Sequence, residues 1–155
     1  LPYNLSSKVL EKLVLLEQNP KIMILMFQKE FADRLLSQNL NSINSLANCF
    51  FKIKFQFNVS KYCFKPVPKV ESSVLKFEKL KKNLLKKNEI QSFIRFKRYI
   101  FSYKRKSLRK ILKKYNIYDN DKLDLRAEKL ELNDLTLNFN CCPSFSKSKL
   151  LLRFE

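Results

Sequence analysis

The chain has 155 residues and no glycine, whereas an average composition of this length would include about eleven. Without glycine it cannot form a P-loop, a G-x-G-x-x-G nucleotide turn or the nucleophile elbow of the α/β-hydrolases. Lys, Asn and Phe, which A/T-rich codons specify, are abundant. Coding bias therefore accounts for part of the absence.

Histidine is also missing, which excludes a Ser-His-Asp triad and histidine metal ligands. The four cysteines include no C-x-x-C pair of the kind found in zinc and redox sites; they are Cys49, Cys63, Cys141 and Cys142. We therefore expect free thiols in a reducing compartment and no metal. The expected location is the cytoplasm, with an organelle as the alternative.

Long apolar segments are absent as well. The longest run, Ile22–Phe27, is far shorter than the ~20 residues of a membrane span, and no signal peptide is visible. We expect a monomeric protein without a membrane partner. Because the first residue is Leu1 rather than Met, we expect a fragment or a processed chain.

Acidic residues are few, and the net charge of +18 is unevenly distributed. Residues 71–118 hold sixteen Lys and Arg against three Asp and Glu, whereas residues 119–155 are nearly neutral. A concentrated basic segment favours a polyanionic partner, most often a nucleic acid.

The hydrophobic pattern predicts an α/β region followed by helices. A helix from Asn4 to Asn19 precedes Ile22–Phe27, whose continuous apolar run predicts a strand buried on both faces, as in a parallel sheet. Further predicted elements are helices 28–36 and 42–51, strand 52–59 with one buried face, a stiff proline loop 64–70, and strand 72–80 with Val74, Leu75 and Phe77 packed.

Beyond residue 80 the pattern is helical. Predicted helices cover 88–103 and 105–116, with a last short helix capped by Asn133. The pattern predicts four regions: 1–80, the latter half of an α/β domain; 81–88, a basic linker; 89–140, a helical domain whose basic charge favours RNA binding; and 141–155, a tail of unknown role.

Five segments, at 1–7, 28–35, 64–74, 104–110 and 125–130, resemble in chain order the ribosomal RNA adenine N6-dimethyltransferases of the small-subunit type. The segment 64–74, Phe-Lys-Pro-Val-Pro-Lys-Val-Glu-Ser-Ser-Val, is similar to that family's Phe-x-Pro-x-Pro-Lys-Val-x-Ser-x-Val loop and is the most specific match. The segments 1–7, 28–35, 104–110 and 125–130 resemble other parts of the family, so the resemblance covers about residues 1–140.

The resemblance implies the latter half of a Rossmann-like class I methyltransferase sheet followed by a small all-α C-terminal domain. It implies S-adenosylmethionine as cofactor and small-subunit ribosomal RNA, or a pre-ribosomal subunit, as partner. The implied catalytic residues are Leu1 and Pro2, whose carbonyls accept the hydrogens of the adenine amine, and Tyr3 and Phe64, which stack on the flipped base.

Basic residues form the implied RNA-binding set: Lys65, Lys69, Lys104, Arg105, Lys106, Arg109, Lys110 and Lys113. On a helix from 104 to 114, positions 106, 109, 110 and 113 would share one face and could follow RNA phosphates. Reversing the charges of Arg109 and Lys110 is then expected to weaken RNA binding.

Two features depart from the family. The family's catalytic Asn would stand one residue before Leu1, and its glycine-rich cofactor loop would lie further upstream, so we expect no cofactor-binding residues and no activity in this chain alone. The family often carries Gly-Arg near Asn44, where this chain has Ser-Ile-Asn-Ser. The alternatives are a non-catalytic RNA-binding or ribosome-assembly factor and a large-subunit adenine methyltransferase.

Overall fold

The computed structural model describes residues 6–113 and 121–142, together with Phe145. The chain divides into two compact units. The sheet unit comprises the described residues up to Gln38 and Leu46–Asn83, and the helical unit comprises Asn39–Ser45 and the described residues from Leu84 onward. Within the described ranges, no helix has the length and apolar character needed to cross a membrane.

The sheet unit alternates helices and strands in its first half. Its elements are α1 (Ser6–Leu15), β1 (Ile22–Gln28), α2 (Lys29–Leu36), β2 (Phe51–Val59), a 3₁₀ turn at Lys61–Cys63, and β3 (Ser72–Lys79). The short helix α3 (Asn44–Ala47) crosses the division between the units in the chain.

The three strands form one sheet in the order β1-β3-β2. The central strand β3 is antiparallel to both neighbours, with Leu25 and Phe55 opposite Leu75. Strands β1 and β2 therefore run in the same direction, joined by a helical crossover that skips one strand position, which is an α/β arrangement.

A row of aromatic rings forms the core of the sheet unit. Phe77 lies 6.2 Å from Phe27 and 6.1 Å from Phe51 between ring centroids, in edge-to-face geometry, and all three side chains are fully buried. Edge-to-face contacts of this kind stabilise beyond the area they bury. The predicted packing of Val74, Leu75 and Phe77 is confirmed.

An asparagine side chain, that of Asn19, satisfies backbone carbonyls at the end of α1. A helix commonly ends on a left-handed glycine that satisfies its last carbonyls. Here the buried Asn19 amide donates to the carbonyls of Leu13 (2.7 Å) and Val14 (3.3 Å) near the end of α1. The chain thus closes this helix end without glycine.

Two predictions about burial in the sheet are wrong for the described residues. In β1, Met23 and Phe27 are buried, but Ile22 and Ile24 are 56% and 58% exposed, and the neighbour of β1 is antiparallel rather than parallel. In β2, Phe51 is buried, but Phe55 and Phe57 are more than 45% exposed. An apolar pattern shows which side chains a strand can bury. It does not show which face of the strand the rest of the fold covers.

The helical unit contains α4 (Ile90–Ser102), α5 (Leu108–Leu112) and α6 (Leu132–Asn140), with 3₁₀ turns at Lys87–Glu89, Asp121–Asp124 and Ala127–Lys129. Its core is again aromatic. The Phe139 ring of α6 lies 5.4 Å from that of Phe93 and 5.6 Å from that of Phe96, and all three are fully buried.

A buried lysine ties the segment 39–45 to this core. Lys97 of α4 is only 4% exposed, and its Nζ donates to the carbonyl of Ser42 at 2.7 Å. The segment itself is an asparagine turn, since Asn41 Oδ1 accepts from the N–H groups of Ile43 and Asn44. Asn44 Oδ1 in turn accepts from the N–H of Asn41 at 2.8 Å.

Several predicted helices are shorter in the structure. The helix predicted over 42–51 is reduced to α3, because the asparagine turn precedes it and β2 begins at Phe51. The helix predicted over 105–116 is α5 over its described part, beginning only at Leu108. The last helix begins at Leu132, after Glu131, so Asn133 lies inside it and does not cap it. The domain boundaries inferred from composition stay predictions.

Candidate target-base and nucleic-acid site

Three strand ends meet at one edge of the sheet. In the register, Gln28 at the end of β1 pairs with Ser72 at the start of β3, which pairs with Val59 at the end of β2. The loop 60–71 and the junction between β1 and α2 therefore lie at the same edge. In open α/β sheets ligands bind outside the carboxyl ends of such strands.

The base of the loop 60–71 is anchored on both sides. Ser73 Oγ donates to Asn58 Oδ1 at 2.7 Å, and Ser72 and Ser73 are almost fully buried. On the other side, the N–H of Lys29 donates to the carbonyl of Glu71 at 3.0 Å, and Lys29 Nζ lies 3.3 Å from Glu71 Oε2. The base of the loop is therefore held by β2, β3 and the first residue of α2.

Within the loop, a 3₁₀ turn fixes the chain before Phe64. Ser60 caps the turn, since its Oγ accepts from the N–H of Tyr62 and its carbonyl accepts from the N–H of Cys63 at 3.1 Å. The N–H of Phe64 donates to the carbonyl of Lys61 at 3.3 Å, and the Lys65–Pro66 peptide bond that follows is cis. The predicted stiff proline loop 64–70 thus follows a 3₁₀ turn, and its chain bends at residues 64–66 and 69–70 instead of running extended throughout.

The structure brings some of the predicted site residues together. Phe64 is half-buried, and Lys65 and Lys69 are exposed on the same loop. Leu1, Pro2 and Tyr3 lie outside the described residues. Tyr62 was not among the predicted site residues, although it is 76% exposed between Lys61 and Phe64. An aromatic residue flanked by lysine in a loop was the signal available for it.

A cavity of about 360 Å³ opens beside this loop, at the junction of β1 and α2. Its lining residues are Gln28, Lys29, Glu30, Asp33, Val70 and Glu71. No cluster of ligands suited to a metal ion occurs among the residues that the structure describes.

The helical unit carries the second group of predicted residues. Lys104, Arg105 and Lys106 are exposed in a turn after α4, which closes when the N–H of Lys106 donates to the carbonyl of Tyr103 at 3.1 Å. Lys106 Nζ lies 4.7 Å from the centroid of the Tyr103 ring, a cation–π contact.

Arg109 is exposed but already paired. Its Nε and Nη2 donate to the two carboxylate oxygens of Asp124 at 2.7 and 3.0 Å. These hydrogen bonds lower the pKa of Asp124 and raise the pKa of Arg109. A guanidinium in this bidentate geometry has most of its charge compensated locally.

The predicted stripe of four basic side chains on one helix does not form as expected. Because α5 begins at Leu108, Lys106 lies in the preceding turn, while Arg109 and Lys110 lie in the helix and Lys113 follows it. The expectation of one helical face was wrong because the tight turn 103–106 interrupts the helical periodicity.

The four cysteines are free thiols, two of them buried and two exposed. Burial raises the pKa of the Cys142 thiol to about 12, with a smaller contribution from Cys141. Cys49 is also buried, whereas Cys63 and Cys141 face solvent. Each unit therefore contains one shielded and one accessible thiol.

Comparison with known proteins gives a consistent family signal. The family described as Ribosomal RNA adenine dimethylase matches residues 1–140. A relative from Hydrogenobaculum sp., named Ribosomal RNA small subunit methyltransferase A, is 35% identical over 150 residues, covering 96% of this chain and 58% of the relative. A relative of the same name from Mycoplasma mobile is 34% identical over 140 residues, covering 86% of this chain and 52% of the relative.

Solved structures agree in fold. A dimethyladenosine transferase from Plasmodium falciparum matches with a TM-score of 0.78 and 26% identity, over 90% of this chain and 64% of that one. The 23S rRNA methyltransferase ErmE matches with a TM-score of 0.54 and 15% identity, over 92% of this chain and 62% of that one, which supports the fold alone. The fold is therefore Rossmann-like α/β, and the chain spans about half the length of the curated relatives it matches.

Proposed function

Because the chain belongs to the ribosomal RNA adenine dimethylase family, we propose that it forms the target-base and RNA-binding part of an adenine N6-dimethyltransferase. The substrate we propose is small-subunit ribosomal RNA, since the relatives are named for that subunit. The observation that carries the proposal is the loop 60–71, which holds Phe64 at the edge of the sheet where ligands bind.

The chemistry of the target explains why such a loop is needed. The exocyclic amine of adenine is a poor nucleophile because its lone pair is delocalised into the ring, so it must be held in line with the methyl donor. A base in a folded RNA is reached by flipping it out of its stack, and the lost stacking is replaced by aromatic side chains. Phe64, half-buried on an anchored turn, is suited to close over one face of the base.

The other side of the base is assigned through the family motif. Leu1 and Pro2 correspond to positions whose backbone carbonyls, together with the side-chain amide of the family's preceding Asn, accept the two hydrogens of the amine. Tyr3 corresponds to the residue that stacks on the opposite face of the base. These three residues lie outside the described ranges, so their roles rest on the motif. We propose that Tyr3 and Phe64 together sandwich the adenine.

Two basic surfaces are proposed to contact RNA phosphates. Lys65 and Lys69 are exposed beside Phe64, and Lys104, Arg105 and Lys106 form the exposed turn of the helical unit. Lys110 and Lys113 are also exposed and complete the proposed set. Arg109 contributes less to phosphate binding in this proposal, because Asp124 compensates its charge.

The cofactor side of the reaction does not fit the residues of this chain. Methyltransferases of this family take the methyl group from S-adenosylmethionine. The 155 residues contain no glycine and so cannot build the glycine-rich turn that such a cofactor requires. We propose that residues outside this sequence bind the cofactor.

The exposed apolar side chains of β1 also support a cofactor-binding part outside this sequence. Ile22 and Ile24 of β1 are more than half exposed, and within the described ranges β1 pairs with β3 alone. A run of six apolar residues is typical of a strand that is covered on both faces. We propose that these three strands are the latter half of a larger methyltransferase sheet, in which further strands pair with the edge of β1 and further helices cover Ile22 and Ile24.

The first test uses the chain as it is. We expect it to bind a hairpin from the 3′ region of small-subunit ribosomal RNA, measured by fluorescence anisotropy, and to give no heat with S-adenosylmethionine in a calorimetric titration. Tight binding of S-adenosylmethionine to this chain alone would contradict the division of roles.

The second test restores the cofactor side. A chimera joins the upstream segment of the Hydrogenobaculum relative to residues 1–155 and is assayed for dimethyladenosine by mass spectrometry of the digested RNA. We expect methylation by the chimera and a large loss in its Phe64→Ala variant, with Phe55→Ala, another partly exposed phenylalanine, as the matched control. If the chain binds RNA while the chimera is folded but does not methylate it, the results would favour a non-catalytic assembly factor.

A further inference from the structure

Tyr62 is the most exposed of the large hydrophobic side chains in the described part of the chain, at 76%. A single exposed apolar residue needs no explanation by itself. Tyr62 differs because its backbone is fixed: its N–H donates to Ser60 Oγ, and the turn is closed by the hydrogen bond from Cys63 N–H to the Ser60 carbonyl. An exposed ring on a fixed backbone loses little conformational entropy when it binds a flat ligand.

The charge around Tyr62 is positive. Lys61 Nζ lies 5.3 Å from the centroid of the Tyr62 ring, within the range of a cation–π contact. Lys65 and Lys69 follow in the same loop and are exposed. The nearest acidic residue of the segment, Glu71, pairs with Lys29 at 3.3 Å. An anionic chain that carries flat bases matches this combination of ring and cations.

Tyr62 and Phe64 are placed differently in the loop. Tyr62 lies within the 3₁₀ turn Lys61–Cys63, whereas Phe64 follows the turn with extended backbone angles. Phe64 is half-buried against the loop, whereas Tyr62 faces solvent. A nucleotide on Tyr62 is therefore a neighbour of the base that Phe64 covers.

We propose that Tyr62 is a stacking site for an unpaired nucleotide adjacent to the target adenine, and that Lys61 and Lys65 bind the phosphates on either side of it. This inference rests on the proposed function and deepens it, since it assigns a second nucleotide subsite. The subsite would hold the RNA strand in place while the target base occupies the site beside Phe64.

The experiment uses the complete chain and a short single-stranded adenine-rich RNA that carries one 2-aminopurine, whose fluorescence is quenched by stacking. We expect quenching by the parent chain and by Tyr62→Phe, because stacking needs the ring and not the hydroxyl. Tyr62→Ala is expected to lose the quenching and to bind between about 5-fold and 150-fold more weakly, the range that one stacked base contributes. Phe57→Ala, which removes a 56% exposed ring from β2, is the matched control and is expected to retain both signals.

Salt dependence separates stacking from charge. Tyr62→Ala is expected to leave the slope of log affinity against log salt unchanged, whereas Lys61→Gln combined with Lys65→Gln is expected to reduce it by about 1.4, since each single-strand phosphate contact contributes about 0.7. Circular dichroism melting verifies that each variant is folded. RNA binding and quenching by Tyr62→Ala equal to those of the parent would overturn the subsite and leave the proposed function intact, whereas a parent chain that binds no RNA would overturn both.

Discussion

The two units use their aromatic side chains in opposite ways. In the helical unit, Phe93, Phe96 and Phe139 are fully buried against one another. The sheet unit also buries four phenylalanines, yet it leaves Phe55, Phe57 and Tyr62 largely exposed, together with two isoleucines of β1. The helical unit therefore closes its own core, whereas the sheet unit leaves apolar side chains exposed, and of these only Tyr62 is assigned to RNA. We accordingly expect base recognition in the sheet unit, whereas the helical unit contributes phosphate contacts from a surface that is separate from its closed core.

The largest effect is expected from Phe139→Ala. Removing this fully buried ring from the helical unit is expected to lower its free energy of unfolding by about 3–5 kcal/mol. A buried thiol reacts only when its surroundings open, so alkylation followed by mass spectrometry can report Cys142 in the helical unit and Cys49 in the sheet unit separately. We expect faster labelling of Cys142 and unchanged labelling of Cys49.

The control for this variant is Leu137→Ala on the same helix, because Leu137 is 57% exposed. This variant is expected to change the alkylation rates of Cys49 and Cys142 only slightly. Equal acceleration of Cys49 and Cys142 in Phe139→Ala would contradict the independence of the two units and indicate one cooperative structure.

A smaller effect is expected from Lys97→Met. The substitution keeps the length of the side chain but removes the amine that donates to the carbonyl of Ser42, leaving a polar group without its buried partner at a cost of about 1–3 kcal/mol. Hydrogen exchange is expected to rise in the segment 39–45 before it rises in β2. Lys110→Met, an exposed lysine of the same unit, is the control. Unchanged exchange in 39–45 would show that the asparagine turn holds the segment without the lysine.

The sequence pattern predicts different features in the two units, and the difference has physical reasons. The strands were found because apolar runs and alternation are local signals, but the exposed faces of β1 and β2 were not, since burial depends on what lies across the sheet. In the helical unit, the turn 103–106 and the start of α5 at Leu108 were missed because basic residues continue through both without a change in pattern.

The candidate site shows the same limit. The proline loop around Phe64 was predicted because Pro-x-Pro restricts the backbone directly. The pairing of Arg109 with Asp124 joins residues fifteen positions apart, and no periodicity reports such a contact. The exposure of Tyr62 likewise depends on the capped turn at Ser60, which only the folded loop reveals.

The third prediction concerns the charge of the helical unit. Changing Lys104, Arg105 and Lys106 together to Gln is expected to reduce the salt slope of RNA binding by up to about 2, because all three are exposed in one turn. Arg109→Gln is expected to change the slope much less, since Asp124 compensates its charge. Changing three exposed lysines of the sheet unit to Gln is the matched control: Lys8, Lys12 and Lys21. An equal loss of slope in that control would mean that total positive charge determines RNA binding, and not the position of the three basic residues in the turn.

The smallest effect is expected at Glu78 on the sheet, which lies 2.8 Å from both Lys54 Nζ and Lys76 Nζ. The hydrogen bonds from Lys54 and then Lys76 lower the pKa of Glu78 from 4.5 to about 2. The unfolded chain therefore takes up the proton first as the pH falls, so the contribution of Glu78 is present above about pH 4.5 and is lost towards pH 2. The difference in urea midpoint between the parent and Glu78→Gln, followed by circular dichroism, is expected to be constant near neutral pH and to vanish towards pH 2. A difference that persists at pH 2 would mean that packing, and not the ion pairs, accounts for it, because a protonated carboxyl and an amide are similar in size and both lack charge.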